Sequence, residues 1–263
     1  LYQDGQSDDV RLVMANIKDA ANNGALIAPY TKVTHIAPNS EKKYWKIQAI
    51  KTHCDDAQEQ HFYAKAIVNA AGPWADKIIT QQAQSTSPES LRMIQGSHIV
   101  VKKRFESPHG FILQNQDQRI IFVLPFKQDF TLIGTTDVPF EQSPEKAHIS
   151  HAEKAYLLAS YNLYFKDALN HEDIVWDYSG VRAICDSGDK KASKANREHH
   201  ITTLEKDKLK MISILGGKLT SYRLVSKQAL DQLQSVFPDM RQCQTDKLPL
   251  AGGAFEDFQH TLN

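Results

Sequence analysis

Near the end of the chain, the hydrophobic run of residues 211–215 stops at Gly216, Gly217 and Lys218. Helical spacing of apolar residues resumes from Leu219, so this order predicts a buried strand, a tight turn and a helix start. The N–H groups of a first helical turn favour anionic partners, and glycines let a ligand approach the backbone. A ligand site and plain turn chemistry both remain open on these residues alone.

Composition excludes several classes of protein. The chain has 263 residues, 41% of them hydrophobic, which is enough for one large domain or two smaller ones. Lys plus Arg and Asp plus Glu number 31 each, so no charge excess predicts a nucleic-acid partner or disorder. Cys54, Cys185 and Cys243 lack metal or redox spacing; we predict no metal site and a reducing compartment. No run spans a bilayer, and the start at Leu1 predicts a piece of a longer protein.

Periodicity divides the chain into helical and β-rich parts. Apolar residues at helical spacing predict a first helix, capped by Ser7 and ended at Asn23-Gly24. Ser150 and Glu153 form a capping box ahead of a helix that runs to about Phe165. Another helix is predicted from Gly217 to about Phe237. Strands are predicted at 25–28, 32–37, 44–51, 63–70, 98–102, 110–113, 119–125, 130–134, 174–184 and 198–204.

The short strands and polar turns between Leu91 and Val138 predict an antiparallel sheet. Helix-plus-strand units flank this β-rich middle, so the fold class is α/β (α+β) and the first and last parts share one domain. We therefore divide the chain into 1–80, 81–204, 205–237 and a linker at 238–263.

Residues 68–74 end a hydrophobic strand in small side chains, among them Ala71 and Gly72. Small residues at the carboxyl end of a strand let a planar or phosphorylated ligand lie against the backbone. A tight turn built around Pro73 is the alternative interpretation.

Two residues in the β-rich part carry chemistry. Strand alternation places Arg182 on one face with Trp176 and Tyr178. A guanidinium there needs either a bound anion or a partner carboxylate, and Gly180 leaves room for a ligand. His98 opens a strand as either a structural residue or a base. The polar strand end of residues 134–137 is equally ambiguous.

Taken in order, six segments resemble the FAD-dependent, quinone-linked (aerobic) glycerol-3-phosphate dehydrogenases. The resemblance extends from about Ser7 to Gly253, nearly the whole chain. The segments are 69–74, 96–101, 112–115, 134–137, 176–182 and 216–223.

This resemblance implies a D-amino-acid-oxidase-like fold, with a partial Rossmann-type FAD domain in 1–80 and 205–237 and an antiparallel substrate domain in 81–204. It implies oxidation of the C2 hydroxyl of sn-glycerol 3-phosphate to dihydroxyacetone phosphate, with hydride passing to flavin N5 and electrons to membrane ubiquinone. The expected location is the cytoplasmic face of the inner membrane, as a peripheral protein.

The resemblance also assigns roles to residues. His98 matches the active-site histidine and is the candidate base for the C2 hydroxyl proton. Arg182 would hold the phosphate or substrate oxygens, and Lys218 would stabilise alkoxide charge or bind phosphate. The residues expected to contact FAD are Ala71, Gly72, Gly216, Gly217, Leu219 and Thr220.

The sequence departs from the family in several places. The glycine-rich FAD fingerprint Gly-x-Gly-x-x-Gly, a further substrate arginine and the carboxyl-terminal helical domain are absent from it. Ala183-Ile184 replaces the more usual Pro-Leu, and Ser221 replaces the usual threonine. We therefore expect this fragment to be inactive alone. Two alternatives remain: an oxidase of the same fold that acts on glycerol 3-phosphate or an amino acid, and a non-catalytic binding fragment that lacks flavin.

Overall fold

The computed structural model describes residues 7–53, 58–86, 91–185 and 198–254. Short 3-10 turns lie at Gly72–Trp74, Pro144–Lys146, His171–Asp173 and Leu219–Ser221, and a π turn at Ile78–Gln82. In chain order the helices and strands are α1 (Asp9–Asn22), β1 (Thr31–Asn39), β2 (Tyr44–Lys51), β3 (Glu59–Ala64), β4 (Ala66–Asn69), α2 (Ala75–Lys77), β5 (Leu91–Lys102), β6 (Phe111–Gln114), β7 (Ile120–Phe126), β8 (Phe130–Gly134), β9 (Val138–Pro139), α3 (His151–Tyr164), β10 (Ile174–Cys185), β11 (His199–Lys206), β12 (Leu209–Gly216) and α4 (Tyr222–Asp231).

Within these ranges the strands form three sheets. β1, β2 and β3 pair antiparallel in chain order. A larger antiparallel sheet has the order β10-β5-β8-β7-β6, with β9 against β5. In the third sheet β12 lies between β11, its antiparallel partner, and β4, its parallel partner. The predicted mixture of helices with an antiparallel β-rich middle is confirmed.

The larger sheet buries one face against α3. Ile99, Val101 and Ile133 are fully buried there, packed with Leu157 and Tyr161 of the helix. Because successive strand residues point to opposite faces, their neighbours His98, Val100 and Gly134 lie on the other face. Val100 is buried there, but the same face has free space at Gly180, and we call it the open face. The predicted capping box begins α3, as the Glu153 backbone N–H donates to Ser150 Oγ at 3.2 Å and Glu153 Oε2 accepts from the Ser150 N–H.

A second core joins the two smaller sheets. Trp45 of β2 is fully buried, and its indole N–H donates to the carbonyl of Lys210 at 3.0 Å. Met211 of β12 and Ile79 pack in the same cluster. These contacts bring the strands before residue 80 against a strand that starts at Leu209.

Several predicted boundaries are wrong. Residues 25–28 form no strand; they follow Gly24 at φ +91° and are exposed, with Leu26 80% exposed. Asp8, not Ser7, caps α1, because its carboxylate accepts the Arg11 N–H. The expected stop at Asn23-Gly24 is confirmed.

The strand predicted at 63–70 is two strands, which separate at Lys65. β3 pairs antiparallel with β2, whereas β4 pairs parallel with β12, so the chain changes sheets at that point. The predicted division between 204 and 205 likewise falls inside β11, which pairs with β12 along its length.

The last helix is shorter than predicted. α4 ends at Asp231, and i→i−3 hydrogen bonds such as Leu233 N–H to the Leu230 carbonyl tighten the chain beyond it. In the part of the chain that the structure describes, no helix has the length and apolarity needed to cross a bilayer.

Candidate active site

Aromatic rings line the open face of the larger sheet. His98 of β5 lies between Tyr178 of β10 and Gly134 of β8 in the cross-strand register. The His98 and Tyr178 rings stack with centroids 4.9 Å apart and planes 10° apart. Trp176 continues the row, with its ring 5.1 Å from Tyr178 and 55% of the residue exposed.

Gly134 makes room for the imidazole. A Cβ at this position would lie 2.2 Å from His98 Cδ2, far inside van der Waals contact. The glycine therefore lets the His98 ring lie over the backbone of β8 while Tyr178 covers its other side. This arrangement fixes the ring by steric contact on both of its sides.

The site keeps His98 uncharged at neutral pH. Burial, followed by the positive charge of Arg182, lowers the pKa of His98 to about 4, against a small opposing effect of Asp9. Its Nδ1 is buried and has no hydrogen-bond partner among the described residues. Burial also raises the pKa of Tyr178, so the stacked phenol stays neutral. A neutral imidazole has a nitrogen lone pair that can accept a proton.

Arg182 has a carboxylate partner and, among the described residues, further N–H groups that make no hydrogen bond. Its Nη1 donates to Asp137 Oδ1 and its Nη2 to Thr135 Oγ1, each at 2.6 Å. Gly96 lies beneath the guanidinium, and a Cβ there would be 2.4 Å from Nη2. The side chain remains 34% exposed. Two hydrogen bonds leave further guanidinium donors for an anion, so the Asp137 pair orients the group without saturating it.

An open space separates the histidine from the arginine. Gly180 lies between Tyr178 and Arg182 on the same face of β10, and a Cβ there would meet nothing within 4 Å. A small molecule placed over Gly180 would have the guanidinium on one side and the aromatic row on the other.

The Gly216–Gly217 turn requires glycine at both positions. Their φ angles are +70° and +95°, and added Cβ atoms would lie 3.1 Å from the Glu198 carbonyl and 3.0 Å from His199 Cβ. Lys218 follows at the cap of the 3-10 turn, where its carbonyl accepts the Ser221 hydroxyl. The predicted strand and tight turn are confirmed; the helix start is a 3-10 turn ahead of α4.

The end of β4 also forms a defined turn. Buried Asn69 donates to the Ala75 carbonyl at 3.0 Å and accepts from the Ala71 N–H. Gly72 has φ +54°, and an added Cβ would find nothing within 4 Å. Ala71 and Gly72 therefore present backbone rather than side chains at this strand end.

A small buried cluster ties these segments to the open face. Ala75 after the Gly72 turn, Cys185 at the end of β10 and Leu215 before Gly216 pack together. The structure thus brings the 71–72 turn and the 216–217 turn to the end of the strand that carries Arg182. Lys218, Leu219 and Thr220 lie at the exposed rim of that region.

Sequence reasoning left the partner of Arg182 open. Thr135 and Asp137 belong to the polar strand end that the sequence singled out, but 45 residues separate Asp137 from Arg182. The other nearby carboxylate, Asp177, instead pairs with Lys154 at 2.7 Å. Only the β5–β8–β10 pairing brings the two segments together.

A groove of about 700 Å³ lies elsewhere, against β1–β3. Leu26, Tyr30, His53 and Phe62 are among its lining residues. It contains none of the predicted site residues.

Comparison with known families gives the class of protein. The sequence profile of the FAD dependent oxidoreductase family matches residues 1–223, and the chain belongs to this family. The predicted fold class is thereby confirmed.

Among its relatives is the glycerol-3-phosphate dehydrogenase of Pseudomonas aeruginosa, which is 38% identical over 96% of this chain and 48% of its own length. The D-erythritol 1-phosphate dehydrogenase of Brucella abortus is 35% identical over 99% of this chain and 52% of its own. The chain spans about half the length of the curated relatives it matches.

The solved structure of the Bacillus halodurans glycerol-3-phosphate dehydrogenase complexed with FAD superposes with a TM-score of 0.82. Its sequence is 27% identical, and the match covers 98% of this chain and 49% of that one.

Proposed function

We propose that this chain supplies the substrate site of an enzyme that oxidises sn-glycerol 3-phosphate to dihydroxyacetone phosphate with FAD as cofactor. The observation that carries the proposal is the open face of the larger sheet, where neutral His98 and oriented Arg182 flank the space over Gly180. The family and the dehydrogenase relatives support the same reaction.

Arg182 binds the phosphate or the adjacent substrate oxygens. Its guanidinium is permanently charged, and charge-assisted hydrogen bonds to phosphate are among the strong ones. The Asp137 and Thr135 contacts hold it in one orientation before substrate arrives. The ordering entropy of the side chain is therefore lost on folding rather than on binding.

His98 accepts the proton of the C2 hydroxyl. With a pKa of about 4 it is deprotonated throughout the neutral range, so it is always ready to act as a base. Lys218 at the rim supplies positive charge to the substrate oxygen or to the phosphate.

The residues at the two strand ends fit a flavin. Gly72, Gly216 and Gly217 expose their backbone. The apolar side chains of Val68 and Leu219, which are close to these glycines in sequence, are each 45% exposed and could be covered by a bound ring system. Bound FAD would accept hydride from C2. Ala71, Gly72, Gly216, Gly217, Leu219 and Thr220 are the residues proposed to contact it.

The sheet pairing supports the proposed domain division except at residues 199–204, where β11 pairs with β12. β4 from 1–80 and β12 from 205–237 pair in parallel, which supports one FAD-binding unit made of both segments. β5–β10 supply the substrate domain within 81–204, and 238–263 is proposed as a linker.

We propose ubiquinone as the electron acceptor and a peripheral position on the cytoplasmic face of the inner membrane. The support is the resemblance of the six ordered segments to the quinone-linked dehydrogenases. Release of peroxide in place of quinone reduction would identify an oxidase instead.

D-Erythritol 1-phosphate is a second candidate substrate, favoured by the Brucella abortus relative. It shares a phosphate and an adjacent secondary alcohol with glycerol 3-phosphate, and no described atom lies within 4 Å of a Cβ built at Gly180, which leaves room there for a polyol.

The test uses the full-length protein that contains this chain. Its visible spectrum is recorded anaerobically before and after addition of each polyol phosphate. Flavin absorbance bleached faster by glycerol 3-phosphate supports the proposal, and faster bleaching by D-erythritol 1-phosphate selects the second candidate. A colourless protein that takes up no added FAD contradicts both. The 263-residue chain, tested in parallel, is expected to be inactive.

A further inference from the structure

A buried carboxylate lies on the opposite side of the larger sheet from the site. Glu153, in the first turn of α3, is only 8% exposed. Its carboxylate accepts hydrogen bonds from Ser97 Oγ at 2.7 Å, Thr136 Oγ1 at 2.8 Å and Gln95 Nε2 at 3.1 Å, besides those from Ser150. All these donors are neutral. A buried charge of this kind is tolerated because several hydrogen bonds replace its water shell.

Each series of hydrogen bonds in this cluster ends at the Glu153 carboxylate. A carboxylate only accepts, so Ser97 donates its hydroxyl proton to Glu153, and Ser179 must then be the donor in the 2.8 Å Ser97–Ser179 pair. Thr136 likewise donates to Glu153 while its oxygen accepts the Ser97 N–H at 3.0 Å. One carboxylate therefore joins β5, β10 and the segment after β8.

Each anchored residue is the chain neighbour of a site residue. Ser97 precedes His98, and Ser179 follows Tyr178. Thr136 lies between Thr135 and Asp137, the partners of Arg182. Alternation places Ser97 and Ser179 on the α3 side of the sheet and His98 and Tyr178 on the other side. Thr136, which lies outside the strands, is tied to the α3 side by its hydrogen bond to Glu153.

We propose that Glu153 is a positioning residue that holds the His98–Tyr178 stack and the Arg182 partners in register. Its link to catalysis rests on the proposed function, whereas its link to site geometry does not. Helix capping alone does not account for the arrangement, because the capping box uses only Ser150, and the bonds to Ser97 and Thr136 reach the sheet.

The geometric test needs no substrate. Stacking on Tyr178 should move the NMR chemical shifts of the His98 ring protons upfield in this chain. The His98→Asn variant identifies these signals by their loss. Glu153→Gln puts an N–H donor among hydroxyl donors and should abolish that displacement. The matched control Ser150→Ala breaks the cap but keeps the sheet contacts, so the displacement should remain. An unchanged His98 signal in folded Glu153→Gln would overturn the proposal.

A second variant covers the case in which Glu153→Gln does not fold. Thr136→Val removes one donor at nearly constant volume and should shift the His98 signal, since Thr136 also holds the Ser97 N–H. No shift in that variant would likewise count against Glu153.

The kinetic test uses the full-length protein. Glu153→Gln should lower kcat/KM for glycerol 3-phosphate by about tenfold or more, as small misplacements in a site do, and Ser150→Ala should not. Equal losses in both variants would reduce Glu153 to a helix cap. If the wild-type protein oxidises no polyol phosphate, the proposed function fails, while the NMR result still decides the role of Glu153.

Discussion

The two faces of the larger sheet come from the same strands but differ in almost every property. Ile99, Val101 and Ile133 fill one face and are fully buried under α3. The residues next to them, His98 and Gly134, belong to a face that is aromatic, lined by glycine and partly open. Adjacent residues of one strand thus contribute either to the buried core or to the proposed site. Substitutions on the two faces should have separable effects on folding and on turnover.

The largest effect on turnover is expected from Arg182→Ala in the full-length protein. Loss of a charged clamp in a partly desolvated site should reduce kcat/KM for glycerol 3-phosphate on the order of a thousandfold. Arg119→Ala is the matched control, because Arg119 pairs with Asp117 two residues away on an exposed turn. If Arg182→Ala turns over at the wild-type rate, the role of Arg182 is purely structural.

His98→Asn should lower turnover by about a hundredfold, the range of a lost general base. From neutral pH upward His98 is uncharged, so its ionisation should not change the wild-type rate. The rate should fall as the pH drops through about 4, because only the neutral ring accepts a proton. Arg182→Ala should move that acidic limb to higher pH, since the guanidinium charge helps to lower the pKa of His98. A limb that stays in place would exclude His98 as the titrating base.

Gly134→Ala tests the steric support of the imidazole. Its new Cβ would overlap His98 Cδ2, so the ring must move, which should reduce turnover about tenfold and cost about 2 kcal/mol of unfolding free energy. Gly180→Ala is the control on the same face, where the Cβ has open space. Thermal unfolding should show little change in that control, and equal destabilisation by both substitutions would refute the steric argument.

The smallest effect on turnover is expected from the buried face. Leu157→Ala removes a fully buried side chain and should lower the free energy of unfolding by about 3 kcal/mol. The KM of the remaining folded protein should not change, because Leu157 packs in the cluster on the buried face of the sheet. Denaturant unfolding and steady-state kinetics measure the two quantities; a large rise in KM would show that the faces are coupled through packing.

Local patterns in the sequence predicted much of this architecture. The bounds of β2 and β8 and the α3 capping box agree with the structure, because alternation and capping are encoded over a few residues. Alternation also placed Arg182 on one face with Trp176 and Tyr178. The ordered segments identified the family.

Non-local pairing accounts for what the sequence did not reveal. The strand breaks at Lys65 because β4 pairs with β12, which lies more than 140 residues further along the chain. The Arg182–Asp137 pair depends on strand pairing, and the Ser97–Glu153 hydrogen bond depends on the packing of α3 against the sheet. No described strand pairs with residues 25–28, and their apolar pattern did not produce a strand.

The most direct test of the open face as the substrate site is the anaerobic rate of flavin bleaching by saturating glycerol 3-phosphate in the full-length protein. The same single turnover is measured in wild type, Arg182→Ala and Leu157→Ala. We predict rapid bleaching in the wild type and in Leu157→Ala, and a loss on the order of a thousandfold in Arg182→Ala. Bleaching of Arg182→Ala at the wild-type rate would contradict the assignment of this face to the substrate.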